Sequence, residues 1–467
     1  VPDTASAMLN FDGISYAKGA SALRQLVAWL GEKDFLAGIN THFARHKFGN
    51  ATLADFIDSL AGATDRDVHG WAESWLRTTG VDTLTPAIAE SDSGGWSLTV
   101  ARDGSRPHRI LVGAYDADPI DADRLVLRDR VELDIPQSEN GARPGRRPAL
   151  VVLNDGDLGY AKVRLDATSW NTAVRALSGI PDPLTRTVVW NAARDMVRDG
   201  ELAPAAYLEA ARAHLPRESD LAVVQGVLAF AATQLADRYL TAEQRPAALG
   251  TLREICRALL RRTEDGNGPG LRLTAVRHFI DAAAQPDTLQ QWLGDGSVPG
   301  GPELDPELRW RILYRLAVLG ATDDAAIAAE LHRDPSATGQ EGAARCHAAL
   351  PTPEAKAAAW ERLFTSDGLS NYLFTATAQG FWQPEQADLV REYVPRYYPH
   401  SVALAARRGP VIAEAAGRYA FPLHAVDAET LRLGEECLRD ADMIPALRRK
   451  LVDQLDDLRR ALTVRGA

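Results

Sequence analysis

The sequence predicts a mixed, mainly α-helical chain in which a small β-sandwich separates two helical regions. Amphipathic stretches at helical spacing fill both ends of the chain, and short β-rich segments fill the middle. The 467 residues are 46% apolar and 25% charged, which is normal for a globular protein. Because the pattern changes near residues 84 and 169, we expect domains at 1–83, 84–168 and 169–467.

The first region, 1–83, is predicted to form four helices. The first helix carries an apolar stripe at helical spacing, formed by Ala20, Leu23, Val27 and Leu30. Gly31 is expected to end it. Thr52 and Asp55 resemble a capping box at the start of the third helix.

The middle region, 84–168, is predicted to form short strands. Segments such as WSLTVARD and HRILVGAYD are rich in β-forming residues, and turn residues separate them. About seven such strands in roughly 85 residues indicate a small β-sandwich.

The last region, 169–467, returns to a helical pattern and keeps it. Its amphipathic stretches are roughly 12 to 20 residues long, with short Pro, Gly or Asp breaks between them. Stacked antiparallel helix pairs explain this pattern, so we predict an α-helical solenoid, a superhelix of the HEAT or armadillo kind. The solenoid is irregular, because the sequence shows no strict period.

Charge and composition exclude several classes of function. A net charge of −11 argues against nucleic acid as a partner. No apolar run is long enough to span a bilayer, and no signal-peptide pattern is visible. The cysteines, Cys256, Cys346 and Cys437, are too few and too far apart for a disulfide framework. We therefore expect a cytoplasmic protein with no membrane partner.

Two local patterns are weighed as candidate chemistry. His42 and His46 have the spacing that zinc sites use, but Phe43 stands where a general base is needed, and a third ligand is missing. Cys346 and His347 point about 100° apart on a helix, so they do not pair as nucleophile and base. We predict no metal site in this chain.

Tyr16 lies in the stretch FDGISYAKGASALRQL, ahead of the first helix. A phenol donates a hydrogen bond at neutral pH, and in a dry cleft it stabilises a developing oxyanion. A tyrosine at the start of a helix is more often an amphipathic packing residue, and the residue alone favours that interpretation.

The same stretch resembles the helix that follows the zinc site in the aminopeptidase N family of zinc metallopeptidases, in an actinobacterial-like form. The residues that match the family pattern are Phe11, Asp12, Ile14, Tyr16, Lys18 and Gly19. Residues 71–84 resemble the family's exit from its thermolysin-like catalytic domain, and residues 150–166 resemble the closing strands of its β-sandwich. Beyond residue 168 the resemblance is one of architecture.

The resemblance implies that this chain is the C-terminal part of a zinc-dependent aminopeptidase that releases N-terminal amino acids from peptides. It implies that Tyr16 is catalytic and donates to the tetrahedral intermediate, that Lys18 makes a local contact, and that Gly19 permits close helix packing. The family's His-Glu-x-x-His motif is absent from the sequence. We therefore expect zinc in the intact enzyme but none bound by this chain, and no hydrolysis by the chain alone.

The expected partners are peptide substrates, enclosed by a helical bowl, and the missing N-terminal part of the same enzyme, in a monomer. The sequence identifies no substrate-binding residues. Without that missing part, the N-terminal helices are expected to expose apolar faces or to pack differently. The alternatives are a non-catalytic helical-repeat scaffold with a β-sandwich and a degenerate family member. A His-Glu-x-x-His motif upstream of Val1 in the parent gene would favour the enzyme over the scaffold.

Overall fold

The computed structural model describes residues 14–90, 94–136 and 143–466. The chain divides into two compact units, residues 1–196 and 197–467. The described residues are mainly helical, with small sheets in the first unit, so the predicted mainly α-helical mixed class is confirmed.

Helices open the described part of the first unit. A π-helical turn, Ile14–Lys18, leads directly into α1 (Gly19–Leu30). Three more helices follow, α2 (Glu32–His46), α3 (Leu53–Ala61) and α4 (Val68–Leu76).

The ends of these helices follow from local chemistry. The Thr52 hydroxyl accepts from the backbone N–H of Asp55, and the Asp55 carboxylate accepts from the backbone N–H of Thr52, so the predicted capping box of α3 is confirmed. Gly31 ends α1 with a φ of 85°, a conformation that glycine adopts without a Cβ clash.

The buried face of α1 differs from the predicted one. Ala20 is exposed and Leu23 is 49% exposed, so the predicted stripe is wrong at these two positions. The apolar residues of α1 that enter the core are Ala22, Leu26, Trp29 and Leu30. The helix carries two neighbouring apolar stripes, and the stripe that contains Trp29 packs against α3 and α4. An indole ring buries more apolar surface than the leucine and alanine side chains of the other stripe.

Six strands form two three-stranded sheets among the described residues. The strands are β1 (Thr83–Glu90), β2 (Trp96–Asp103), β3 (His108–Ala117), β4 (Leu125–Ile135), β5 (Leu150–Leu153) and β6 (Lys162–Val163). One sheet has the order β2–β1–β6, with β1 antiparallel to β2 and parallel to β6. The other has the order β4–β3–β5 and is antiparallel throughout. All four residues of β5 are buried, so the loop that follows β5 starts from the core.

Two helices, α5 (Ala167–Ala176) and α6 (Pro183–Arg198), follow the sheets. The second unit contains a π-helix, Ala231–Tyr239, which directly follows the α-helix Leu221–Phe230. Its α-helices are α7 (Pro204–His214), α8 (Leu221–Phe230), α9 (Arg245–Arg262), α10 (Pro269–Asp281), α11 (Asp287–Asp295), α12 (Pro306–Val318), α13 (Asp324–Arg333), α14 (Ala337–Ala349), α15 (Pro353–Phe364), α16 (Asn371–Phe381), α17 (Ala387–Val390), α18 (Tyr393–Arg408), α19 (Pro410–Tyr419), α20 (Ala428–Asp440) and α21 (Pro445–Arg465).

Alternate helices of the second unit pack side by side. The continuous row runs α8, α10, α12, α14, α16, α19 and α21, each helix in contact with the next. None of the helices in the described ranges combines the length and the apolar character that crossing a membrane requires.

Candidate functional site

Tyr16 lies on the π-helical turn Ile14–Lys18, immediately before α1. Its side chain is 62% exposed, so the phenol does not pack in the hydrophobic core. Short π-helical segments occur frequently at functional sites. Phe11 and Asp12, which belong to the same sequence pattern, lie outside the described residues.

Lys18 and Gly19, the next residues of the family pattern, differ in whether they make the contacts expected of them. The Nζ atom of Lys18 lies 5.7 Å from the centroid of the Tyr160 ring, which confirms the predicted local contact and has the geometry of a cation–π interaction. The expectation that Gly19 permits close helix packing is wrong for the described residues. A Cβ atom built on Gly19 meets nothing within 4 Å, because no described element packs there.

The loop 154–160, between β5 and β6, holds the adjoining turns of α1. The Nη2 atom of Arg24 donates to the carbonyl oxygen of Gly156 at 3.1 Å. Gln25 is buried, and its Nε2 atom donates to the carbonyl oxygen of Arg109 at 3.1 Å. A Cβ atom on Gly159 would lie 2.4 Å from Oε1 of Gln25, so a larger residue at this position requires the Gln25 side chain to shift.

A small cavity of about 170 Å³ lies at this contact, lined by Ala20, Ser21, Arg24, Asp157 and Gly159. Burial raises the pKa of the Asp157 carboxyl, and Arg24, whose Nη1 atom is 3.9 Å away, partly opposes that rise. At this volume the cavity has room for a few water molecules rather than for a peptide.

The histidine pair of α2 is a half-buried aromatic contact. The rings of His42 and His46 are 5.0 Å apart, and His42 also meets the edge of Phe56 at 5.5 Å. Within the described ranges, no three His, Cys, Asp or Glu side chains come together in a way that could hold a metal ion. The described residues therefore do not fit a zinc site.

Cys346 and His347 are separated in the way that their adjacency predicts. Cys346 is fully buried, and burial raises the pKa of its thiol to about 12. His347 is directed to Asp324, with 2.9 Å between Nδ1 and the carboxylate oxygen. A thiol with so high a pKa is not a nucleophile at neutral pH.

The second unit contains a cavity of about 620 Å³, lined by aromatic and charged side chains. Two arginines of its wall are neutralised by carboxylates, Arg311 by Asp281 at 2.5 Å and Arg315 by Glu385 at 2.7 Å. Arg345 also lines the cavity, and among the described residues no carboxylate forms an ion pair with it. This wall can offer guanidinium and aromatic faces to an extended polar ligand.

Two family models match the chain. Residues 150–460 match the ERAP1-like C-terminal domain, and residues 2–75 match the peptidase family M1 domain. The first match spans well over half of the chain. The chain belongs to the ERAP1-like C-terminal domain family. With the M1 peptidase match ahead of it, the predicted resemblance to the C-terminal portion of an aminopeptidase N-type peptidase is confirmed.

The relatives of this ERAP1-like chain are aminopeptidases. It is 38% identical to aminopeptidase N of Streptomyces lividans over 489 residues, which cover 100% of this chain and 56% of that protein. It is 39% identical to the mitochondrial aminopeptidase 2 of Saccharomyces cerevisiae over 89 residues, 19% of this chain and 9% of that protein. The chain therefore spans about half the length, or less, of these curated relatives.

A solved structure shares the fold. The crystal structure of Legionella pneumophila aminopeptidase A in complex with aspartic acid aligns with a TM-score of 0.61, over 96% of this chain and 57% of that one. The sequence identity is 15%, so this likeness concerns the fold alone.

Sequence patterns point to Tyr16 and Lys18, but they do not indicate that the loop 154–160 holds the first helix of the ERAP1-like chain. The resemblance places this loop among the closing strands, although Asn154, Asp155 and Gly156 are residues typical of turns. Its contacts with α1 join residues more than 100 positions apart, which no local pattern reveals.

Proposed function

We propose that this chain is the C-terminal part of a zinc-dependent aminopeptidase that releases N-terminal amino acids from peptides. The observation that carries the proposal is Tyr16, exposed on a π-helical turn within the stretch matched by the peptidase family M1 domain. The match of the whole chain to an aminopeptidase N supports it.

Tyr16 is the catalytic residue of the proposal. Its phenolic O–H donates a hydrogen bond to the oxygen of the scissile carbonyl as negative charge develops there. The zinc of the family has no ligands among the described residues, and the sequence has no His-Glu-x-x-His motif. We therefore assign the metal site to the N-terminal part of the same enzyme.

The remainder of the chain supplies the scaffold and the enclosure. We propose that the two three-stranded sheets form a β-sandwich over residues 84–168, after the catalytic-domain helices of 1–83. The row of alternate helices supports a solenoid over 169–467. The 620 Å³ cavity is the proposed location of peptide contacts in the helical bowl. We place the enzyme in the cytoplasm, as a monomer.

The proposal is tested by Tyr16→Phe in the full-length enzyme. This change keeps the ring and removes the donor, so kcat should fall roughly 10²- to 10³-fold, as for the loss of one oxyanion donor. Tyr372→Phe is the matched control, because Tyr372 is also exposed, at 73%, and lies in the second unit. A chromogenic aminoacyl substrate reports both rates. An unchanged kcat in Tyr16→Phe removes this residue from the mechanism.

The chain on its own should bind no zinc at the family's site and hydrolyse no aminoacyl substrate. Metal analysis of the purified chain and the same chromogenic assay measure both. Turnover that co-purifies with this chain would contradict the assignment of the metal site to another part of the enzyme.

A further inference from the structure

The loop 154–160 has a backbone that its own side chains lock. Asn154, Gly156 and Asp157 have φ values of 56°, 82° and 53°, all in the left-handed region. The Asn154 side chain closes the loop, because its Nδ2 donates to the Gly159 carbonyl at 3.0 Å and its Oδ1 accepts from the Gly159 N–H at 2.9 Å. Such conformations persist only where the surroundings determine them.

Asp155, which is completely buried, attaches the loop to the sheet through hydrogen bonds. Its carboxylate accepts from the Tyr115 hydroxyl at 3.0 Å, from Nε of Arg130 at 2.8 Å, and from the hydroxyl of Thr185. Its backbone N–H donates to the Leu111 carbonyl at 2.9 Å. Hydrogen bonds to a buried carboxylate are among the strongest in proteins, so the loop is held rigidly at Asp155.

The opposite side of the loop holds the helical segment that begins at Tyr16. Arg24 reaches Gly156, the backbone of Gly159 lies against Gln25, and the Tyr160 ring lies beneath the ammonium of Lys18. Tyr160 itself packs on the core of the N-terminal helices. Lys18 follows Tyr16 by two positions on the π-helical turn, and side chains two positions apart project from roughly opposite sides of such a turn. When Lys18 is held on the loop, Tyr16 is therefore directed away from it.

We propose that Tyr160 is a positioning residue for Tyr16: through Lys18, the rigid loop 154–160 fixes the direction in which the phenol points. This inference rests on the proposed function of Tyr16. The loop connects the sheet with the short π-helical turn and so restricts the movement of that turn. A catalytic donor has to be held within about 0.5 Å of its productive position.

The test uses Tyr160→Leu in the full-length enzyme, with Tyr160→Phe as the conservative variant. Loss of the ring should lower kcat about tenfold, less than the roughly 10²-fold cost of a 1 Å misplacement, and KM should stay within about twofold. Tyr160→Phe keeps the ring and should recover most of the lost kcat. Lys18→Met removes the cation from the other side of the contact, and it should reproduce the loss if Tyr160→Leu does not fold.

The deciding measurement is the same change in the Tyr16→Phe background. If the loop acts through the phenol, Tyr160→Leu should lower kcat by less than about twofold there, because effects of residues that act as a unit are not additive. An equal loss in both backgrounds, or a rise in KM in place of the fall in kcat, overturns the inference. If Tyr16→Phe alone leaves kcat unchanged, the catalytic role of Tyr16 fails, and the positioning role fails with it. If Tyr16→Phe is slow but Tyr160→Leu and Lys18→Met are normal, only the positioning role fails.

Discussion

Residues 14–76 and residues 197–466 are both helical, yet they differ in the number of large apolar side chains that they leave exposed. The exposed ones in the first stretch are Tyr16, Leu23, Leu36, Phe43, Phe48, Leu53 and Leu76. Those in the second, much longer stretch are Leu221, Tyr372, Val411 and Val452. The expectation that the N-terminal helices expose apolar side chains is confirmed.

This difference shows which of the two regions buries its large apolar side chains within the chain. The second unit buries nearly all of its large apolar side chains within itself, as a finished fold does. The N-terminal helices leave more of theirs exposed to solvent, although they form a much shorter stretch of chain. We attribute the exposed set to the N-terminal part of the proposed enzyme, which would cover it.

The largest expected effect comes from the same substitution in both regions. Phe381 is completely buried in the second unit, whereas Phe43 is 66% exposed in α2. Phe381→Ala should lower the free energy of unfolding by about 3 to 5 kcal/mol, because it leaves a cavity in a packed core. Phe43→Ala should change it by less than about 0.5 kcal/mol. Denaturant unfolding of the 467-residue chain measures both, and similar losses would refute the distinction between the regions.

A smaller effect on the free energy of unfolding is expected from Lys356, which lies over an aromatic ring as Lys18 does. Lys356 in the second unit is completely buried, with Nζ donating to the carbonyls of Ala348 at 2.7 Å and Phe381 at 2.9 Å. Burial lowers the pKa of Lys356 from 10.5 to about 7. Lys18, over Tyr160, is half-buried.

The sign of the pH dependence follows from that pKa. Between about pH 7 and pH 10.5 the unfolded chain binds a proton at Lys356 that the folded chain does not, so stability rises with pH across this window. From pH 7 to pH 9 the contribution should be about 2 kcal/mol. Lys356→Met should flatten the dependence, as measured by denaturant unfolding at both pH values. Equal slopes for the wild-type chain and Lys356→Met would be evidence against a buried, easily deprotonated lysine.

Local signals predicted the caps and the ends of elements, because these depend on neighbouring residues. The pairing of Thr52 with Asp55 and the end of α1 at Gly31 were read correctly from sequence. Periodicity misassigned Leu23, because two apolar stripes compete on α1 and only tertiary packing selects one. The Asp155 network was not predictable, since its partners Tyr115 and Thr185 are 40 and 30 residues away.

A substitution at Phe48 should change stability only slightly, and the sign of the change depends on what surrounds the N-terminal helices. Phe48 is fully exposed and has a φ of 62°, so it combines an uncovered ring with a backbone conformation that a bulky residue rarely adopts. In this chain, Phe48→Asn should raise the free energy of unfolding by about 1 kcal/mol, because asparagine tolerates the left-handed region. Phe43→Asn, on a helix, is the control and should give no gain. If the N-terminal part of the enzyme covers the Phe48 ring, the same substitution should lower the stability of the full-length protein, since burying a phenylalanine contributes about 1.5 to 3 kcal/mol. A gain of equal size in both proteins would mean that the ring is uncovered in the enzyme as well.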